Sequence, residues 1–429
     1  MAAKRIALVG AGSFSFTRGL VTDLALTADL SGSVAVLHDI DAERLEVMAA
    51  LARRLVEHVG ADLAIEPTLS RQQALTDADF VICTVAIGGV EAWHKDIDIP
   101  WRHGIAQSVG DSVGPGGLSR ALRVVPLIAE ICDDMEALCP QAWLINYSNP
   151  LTCNVLAAYQ TSTVPTLGLC HGLFGTLGQL EDFLGFDHGA LAARAAGVNH
   201  LTWILDLHAG GQDVYPLLEE RLEAASDVPF PVSARLFRLF GAFPSPGDVH
   251  VAEFFPWFLG REAKHGRAYG LSLFQPPTRA SEREKTLATW RRQADGQEPL
   301  GQMGRSGEKA VDIISAMATG RSEVHVVNIP NQWCLDEMPE GAIVEVEALV
   351  GPEGVSGMKA LPLPPGVVPW LQARAWQQAL TVEAALQGSR QLALQALLAD
   401  PLVPGLETAE KLLDELLAAH REHLPNFAG

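Results

Sequence analysis

The sequence predicts an α/β protein: a doubly wound, mostly parallel sheet in its first half and a mixed α+β arrangement in its second. Three observations carry that reading. The apolar run Ile6-Ala7-Leu8-Val9 ends in Gly10-Ala11-Gly12-Ser13-Phe14 and leads into a helix-forming segment. Apolar runs and amphipathic segments then alternate to about residue 195, the rhythm of strands buried on both faces under helices. Beyond that point polar and apolar residues alternate from Thr202 to His208, and Gly210-Gly211 marks a turn, as in antiparallel strands. The expected division is residues 1–195 and 196–429.

The first elements carry the chemistry of a Rossmann-type domain. A Gly-rich turn after β-strand residues Ile6–Val9 lets the backbone approach a ligand closely. The helix expected from Thr17 to Leu26 would aim its first N–H groups at a pyrophosphate. Ser15 stands where the usual third Gly of the motif would be. Gly10, Gly12, Ser13 and Phe14 are therefore cofactor-loop residues, and the alternative is a nucleotide-free turn. Val34 to Leu37 reads as the second strand, with Asp39 just beyond it. That is the station of an acid that hydrogen-bonds a ribose hydroxyl. Asp41 starts the next helix instead, Ala42 to Val59, whose apolar face is Leu45, Met48, Ala52, Leu55, Val56 and Val59.

Phe80 to Val85 is a fully apolar strand followed by Gly88-Gly89. Residues 101–117 are rich in Gly and lack periodicity, which fits either a flexible connector or a substrate loop. Asp111 within it reads equally as a turn-former and as a functional acid. A helix is expected from Leu118 to Leu138, bent at Pro126. Trp143 to Tyr147 is the next strand, and the Asn149-Pro150 step after it predicts a sharp bend of the kind a cis peptide makes. Asn149 would then face the nicotinamide end of a cofactor site. A helix from Thr152 to Ala158 leads to a strand at Val164 to Leu169.

That strand runs into Cys170-His171-Gly172, and Gly197-Val198-Asn199-His200 follows about thirty residues later. A Cys and a His delivered at two adjacent strand ends can share a divalent metal with most of its coordination sphere open. The alternative is a buried Cys beside a hydrogen-bonded core His. Residues 230–258 are aromatic-rich around Asp248, His250 and Glu253, which suits general acid or base work against an apolar wall. A helix start with solvated side chains fits equally. The rest reads as a charged surface helix at 280–296, a helix at 306–317, strands at 324–328 and 343–347, a loop at 352–370 and helices to the end.

Composition bounds the function. A formal net charge of -20 over 429 residues disfavours nucleic acid and anionic membrane surfaces as partners. No apolar run reaches transmembrane length and no cleavable signal is read at the start. Six cysteines in so long a chain fit free thiols in a reducing compartment, so a cytoplasmic location is expected.

Taken together, Gly10-Ala11-Gly12-Ser13, Gln107-Ser108-Val109-Gly110-Asp111, Ile145 to Pro150, Leu169-Cys170-His171, Gly197 to His200 and Gly247-Asp248-x-His250-x-x-Glu253-Phe254 resemble glycoside hydrolase family 4 over nearly the whole chain. The resemblance implies a fold like the lactate and malate dehydrogenases, a requirement for NAD and a divalent metal such as Mn²⁺, and dimers or tetramers. It implies Cys170 and His200 as metal ligands, Asp39 on the adenosine ribose and Asn149 on sugar hydroxyls. It also implies a route outside the two-carboxylate scheme: oxidation at C3, loss of the C2 proton and of the aglycone, addition of water and re-reduction. Asp248 is then the choice for the C2 base, Asp111 the second, and His171 the acid or leaving-group contact. His171 stands where phosphosugar members carry Asp or Asn, so the chain resembles the branch acting on non-phosphorylated α-glycosides. An α-galacturonide or α-glucuronide is preferred, with Arg102, Arg120 and His250 as cations for its carboxylate. A neutral α-galactoside or α-glucoside, a hydroxy-acid or polyol dehydrogenase, and a non-enzymatic NAD sensor are the rival readings.

Overall fold

The computed structural model describes residues 3–273 and 276–427. The chain opens with β1 (Arg5–Val9), α1 (Thr17–Leu26), β2 (Ser33–His38), α2 (Ala42–Val59), β3 (Leu63–Thr68), α3 (Arg71–Leu75) and β4 (Phe80–Cys83). It continues through α4 (Gly89–Arg102), α5 (Gly114–Leu138), β5 (Trp143–Asn146), α6 (Leu151–Thr161), β6 (Thr166–Gly168) and α7 (Gly172–Leu184). Then come β7 (Leu191–Val198), β8 (Leu201–Ala209), β9 (Gln212–Asp213), α8 (Tyr215–Ala224), α9 (Pro231–Phe240), β10 (Phe243–Ser245), α10 (Asp248–Val251), α11 (Pro256–Leu259) and α12 (Pro276–Ala294). The last elements are α13 (Ala310–Thr319), β11 (Glu323–Pro330), β12 (Ile343–Gly351), β13 (Gly354–Gly357), α14 (Val368–Gln387), α15 (Arg390–Leu398) and α16 (Leu406–Ala419).

The strands form one sheet in the order β10-β8-β7-β12-β11-β6-β5-β4-β1-β2-β3. β3 to β6 pair in parallel in the order 3-2-1-4-5-6, the doubly wound arrangement expected. The topological switch lies between β1 and β4, so a ligand crevice opens at their carboxyl ends. β6 then meets β11 antiparallel at Gly168 and Asn328, and β12 meets β7 at Glu345 and Gly197. The second half is therefore mixed and antiparallel, as the alternation from Thr202 indicates.

Local sequence explains the elements that frame the crevice. Asp41 accepts from Arg44 N and caps α2, which ends at Gly60 in a left-handed conformation, φ 71°. Leu45, Met48, Ala52, Leu55 and Val56 are buried on its inner face, whereas Val59 is only partly buried. The Asn149-Pro150 bond is cis.

Several elements depart from expectation. β3, α4 and α7 were not expected at all; β13 lies inside the expected loop at 352–370. α5 begins at Gly114, four residues before Leu118, because Pro115 fits a helix's first turn despite the glycines around it. Most importantly, the strands bearing Cys170 and His200 are not neighbours: β11 and β12 lie between β6 and β7. Inserting those two late strands between earlier ones is a long-range pairing that local pattern does not encode. No helix among the described residues is long and apolar enough to cross a membrane.

Candidate active site

The cofactor end of the crevice is built by the loop after β1. Gly10 has φ +90°, and a Cβ there would come within 2.9 Å of the Thr84 carbonyl, so only glycine fits. The N–H groups of Gly10 and Ala11 both donate to the His38 carbonyl at 2.9 Å, which ties this turn to the end of β2. Gly12 N donates to Asp39 Oδ2 at 2.7 Å, and Asp41 N donates to Oδ1 at 2.9 Å. Asp39 therefore stands at the rim of the loop where a ribose acid is expected. The first turn of α1 has neither a side-chain cap nor an acidic residue, which leaves its N–H groups for an anion. Phe14 is stacked on Trp290 of α12 at 5.2 Å, with the Arg44 and Arg283 guanidinium groups 5.6 Å from its ring. That contribution of α12 had no signal in the sequence beyond charge.

The second centre lies where the 105–113 loop meets the β7–β8 turn and α10. Ligand atoms of Asp111, His200 and His250 lie within 4.8 Å of one another. The loop that carries Asp111 is firmly held. Val109 N and Gly110 N each donate to Glu253 Oε1 at 2.8 Å, and Ser108 donates to the Val249 carbonyl. Gly114 N donates to Asp400 Oδ2, and the Trp93 indole donates to the Val109 carbonyl. It is no flexible connector.

His200 occupies the second position of the two-residue turn between β7 and β8, with φ 65°. A non-glycine residue held there stores strain of about 1–3 kcal/mol, and such positions concentrate at functional sites. Ser112 Oγ donates to Asp111 Oδ1 at 2.7 Å and lies 2.9 Å from His200 Nδ1. One hydroxyl proton serves one acceptor, so His200 Nδ1 carries the proton and Nε2 keeps its lone pair, the ligating form. Burial and then the neighbouring His250 push the His200 imidazole down to about 3. Burial likewise lowers His250. Burial opposes charge on Asp111, but His200, His250 and Arg120 outweigh it and hold that carboxyl below its ordinary value. The result is an ionised carboxyl beside two imidazoles whose protonation burial opposes. His250 Nδ1 is buried without a hydrogen-bond partner among the described residues. A partnerless buried nitrogen beside an imidazole and a carboxylate fits a divalent cation of borderline hardness.

The other predicted residues take distinct places. Cys170 Sγ accepts from Gly172 N at 3.4 Å and from the Asn199 amide, so its loop converges on the residue before His200. Cys170 lies outside the set of three. Its thiol is pushed up by burial and by Glu345. Glu345 is itself buried beneath both loops, where it accepts from Asn199, Thr202 and Asn328. Asn149 Nδ2 donates to Asp111 Oδ2 at 3.0 Å, so it joins the centre directly. His171 is mostly exposed with Nδ1 3.3 Å from Glu308, whose carboxylate raises the imidazole. Asp248 turns the other way: its oxygens accept from Val232 N, Ser233 N and Ser233 Oγ at the start of α9. Burial raises it, and three donors already occupy it.

The three cations considered for a substrate carboxylate also separate. Arg102 is exposed and paired with Asp98 and Glu415. His250 is in the centre and held uncharged. Arg120, on α5, lies 5.3 Å over the Trp93 ring and acts on Asp111, yet it forms no salt bridge among the described residues.

Comparison with known proteins follows the same geometry. Residues 5–186 match the family 4 glycosyl hydrolase model and residues 195–403 the family 4 glycosyl hydrolase C-terminal domain. An α-galactosidase of Bacillus subtilis (strain 168) is 30% identical, over 99% of this chain and 100% of its own. An α-galacturonidase of the same strain is 32% identical, over 96% of each. The crystal structure of B. subtilis lplD, 29% identical, superposes with a TM-score of 0.89 over 97% of this chain and 100% of that one. A 6-phospho-α-glucosidase from gut microorganisms, solved in complex with NAD and Mn²⁺, has the same fold at TM-score 0.84 and 20% identity over 99% of both chains. Lactate dehydrogenase of Eimeria maxima shares it more distantly, at TM-score 0.56 and 15% identity, over 90% of this chain and 96% of its own. The motifs spread from Gly10 to Glu253 thus belong together, and the chain is a member of the family 4 glycosyl hydrolases.

Proposed function

We propose that this glycoside hydrolase acts on a non-phosphorylated α-glycoside, an α-uronide before a neutral sugar, with NAD and a divalent cation such as Mn²⁺ as its resident groups. The observation that carries the proposal is the Asp111–His200–His250 set with Arg120, which has no salt bridge among the described residues, acting on it. The gut 6-phospho-α-glucosidase was crystallised with NAD and Mn²⁺, and the loop after β1 and this donor set offer places for both.

When bound, the two groups supply a hydride acceptor and a Lewis acid for sugar oxygens. Gly10, Gly12, Ser13 and Phe14, with the open first turn of α1, receive the pyrophosphate, and Asp39 receives the ribose. His200 and His250 would hold the cation with Asp111, and the family resemblance adds Cys170, whose hydrogen bond from Asn199 brings its loop to the residue before His200. Asn149 fixes the Asp111 carboxylate. His171, with its imidazole raised by Glu308, is suited to give a proton to the leaving oxygen. Of the two carboxylates considered as base, Asp111 is the better placed, because it lies in the centre with His200 and His250, whereas Asp248 turns to the start of α9. Arg120 is the cation for a uronate, since a guanidinium and a carboxylate pair strongly when shielded from water.

Turnover of matched p-nitrophenyl α-galacturonide, α-glucuronide, α-galactoside and α-glucoside tests this. The uronides are expected to lead, and Arg120→Leu to lower their kcat/KM by about 10–100-fold more than that of the neutral sugars. Equal or better turnover of neutral sugars by the unaltered enzyme would overturn the uronide preference in favour of a neutral α-galactoside, which the α-galactosidase relative makes the second reading. A dehydrogenase would instead accumulate NADH in step with product.

A further inference from the structure

The loops of Cys170 and His200 are joined from beneath by one rank of the sheet. Gly168 of β6, Asn328 of β11, Glu345 of β12, Gly197 of β7 and Thr202 of β8 stand in register across five neighbouring strands. Directly opposed residues send their side chains to one face of a sheet, so Asn328, Glu345 and Thr202 share a face. Gly197 puts no side chain between Glu345 and Thr202, and the Glu345 carboxyl reaches across it to accept the Thr202 hydroxyl at 2.7 Å. Its other oxygen accepts from Asn328 Nδ2 at 2.8 Å and from Asn199 Nδ2 at 3.2 Å. Glu345 is 4% exposed, and none of these three partners is a cation. Burying a carboxyl without a counter-charge is costly, so its presence points to what its partners do.

Asn199 is the partner that matters. An amide nitrogen carries two hydrogens, so one side chain can serve two acceptors. The Asn199 amide donates to Glu345 and also to Cys170 Sγ. Asn199 directly precedes His200, and Cys170 follows Gly168 by two residues. The carboxyl thus fixes the plane of an amide that ties the Cys170 loop to the His200 turn. We infer, on the reading of Cys170 as a further ligand, that Glu345 is a positioning residue for the cation centre: it holds the Asn199 amide so that its second N–H meets Cys170 Sγ and keeps that sulfur against the turn of His200. An N–H that draws charge from the sulfur also eases the match of a soft ligand to a harder cation.

Absorption spectra of the full-length protein titrated with Co²⁺, with NAD present, provide the test. Co²⁺ bound by a thiolate shows an intense near-ultraviolet charge-transfer band that nitrogen and oxygen donors alone do not give. The unaltered protein should show the band. Glu345→Leu should weaken Co²⁺ binding by about 10–100-fold and leave the band reduced even at saturating metal. Glu345→Gln keeps an oxygen for the two amides and should restore both. Thr202→Val takes a hydroxyl from the same carboxyl but leaves Asn199 held, so its band should be unchanged. If circular dichroism shows Glu345→Leu unfolded, Asn199→Ala removes the amide itself and carries the same expectation. A folded Glu345→Leu, or Asn199→Ala in its place, with the full band at saturation overturns the inference. So does a loss in Thr202→Val or Glu345→Gln as large as that in Glu345→Leu. Either pattern, with a band that Cys170→Ser abolishes, leaves Cys170 as a ligand. A band missing from the unaltered protein, or one that survives Cys170→Ser, removes Cys170 from the ligands and the role of Glu345 with it.

Discussion

At the scale of single residues, Ser112 is the hinge of the candidate cation site. Its hydroxyl joins Asp111 to His200 and sets the imidazole tautomer. Ser112→Ala should therefore lower metal affinity by about 10–100-fold, the usual effect of losing an orienting partner behind a ligand. Activity titrated against Mn²⁺ at saturating substrate will show it, with kcat recovered at high metal. Glu253 acts on the same loop from below. Burial, with Asp111 adding to it, pushes its carboxyl up to about 8 from an ordinary value of 4.5. The folded protein then holds a proton that the unfolded chain releases. Stability of the metal-free protein should fall as pH rises through the window from 4.5 to about 8. Thermal melting in chelator across that range checks the sign, and Glu253→Gln should flatten the profile. Glu253→Ala should cost about 2–3 kcal/mol, because two buried N–H groups would lose their acceptor.

Residue types told only part of this from the sequence. His200 stood out because a His closes an apolar run beside Gly197 and Asn199. His250 was singled out with Asp248 and Glu253, but its meeting with Asp111, 139 residues earlier in the chain, is a tertiary fact without local trace. Nothing in the spacing of Asp248, His250 and Glu253 reveals that one faces the start of α9, one the centre and one the backbone of the 105–113 loop. A run of this kind breaks into short turns, α10 and the 3-10 turn after it, and each turn sends its side chains a different way.

Among the elements, legibility followed burial. β1, β2, β4 and β5 are apolar runs covered on both faces, and each lies close to where the sequence put it. β3 was missed because it is an edge strand, mostly exposed, with Pro67 near its end. α4 was missed because its buried face carries Asp96 and Pro100, and α7 because three glycines dilute it. The loop after β1 was readable because its constraint is local. Gly10→Ala should cost about 1–3 kcal/mol, as it forces a side chain to φ +90° against the Thr84 carbonyl. Fluorescence titration with NADH should show a matching loss of nucleotide affinity, which Gly60→Ala would not cause, since open space surrounds Gly60.

Across the whole molecule, buried charge ties the C-terminal helices to the framework. Arg123 and Asp96 form a fully buried pair between α5 and α4, and His420 closes on the same carboxylate. Arg374 pairs with Asp400, which also receives the N–H of Gly114. Removing one partner, as in Asp96→Ala, should cost about 3–5 kcal/mol, because the guanidinium stays buried and unpaired. Burial opposes charge on Asp96, but Arg123 and His420 prevail and hold its carboxyl below the ordinary 3.8. Its stabilisation is thus present above pH 3.8 and lost as pH falls through the lowered value. Acid unfolding followed by circular dichroism should begin at a higher pH in Asp96→Asn.

The single sheet running from β3 to β10 has a mechanical consequence. Nucleotide loop and candidate cation centre rise from one hydrogen-bonded sheet, which opposes the halves swinging apart. Admission of a sugar and escape of its fragments must then be governed by what lies above the strand ends: the exposed His171, the 295–309 segment that brings Glu308 to it, and α12 resting on Phe14. Turnover that proves limited by release should answer to changes in those coverings and stay indifferent to the stiffness of the sheet itself.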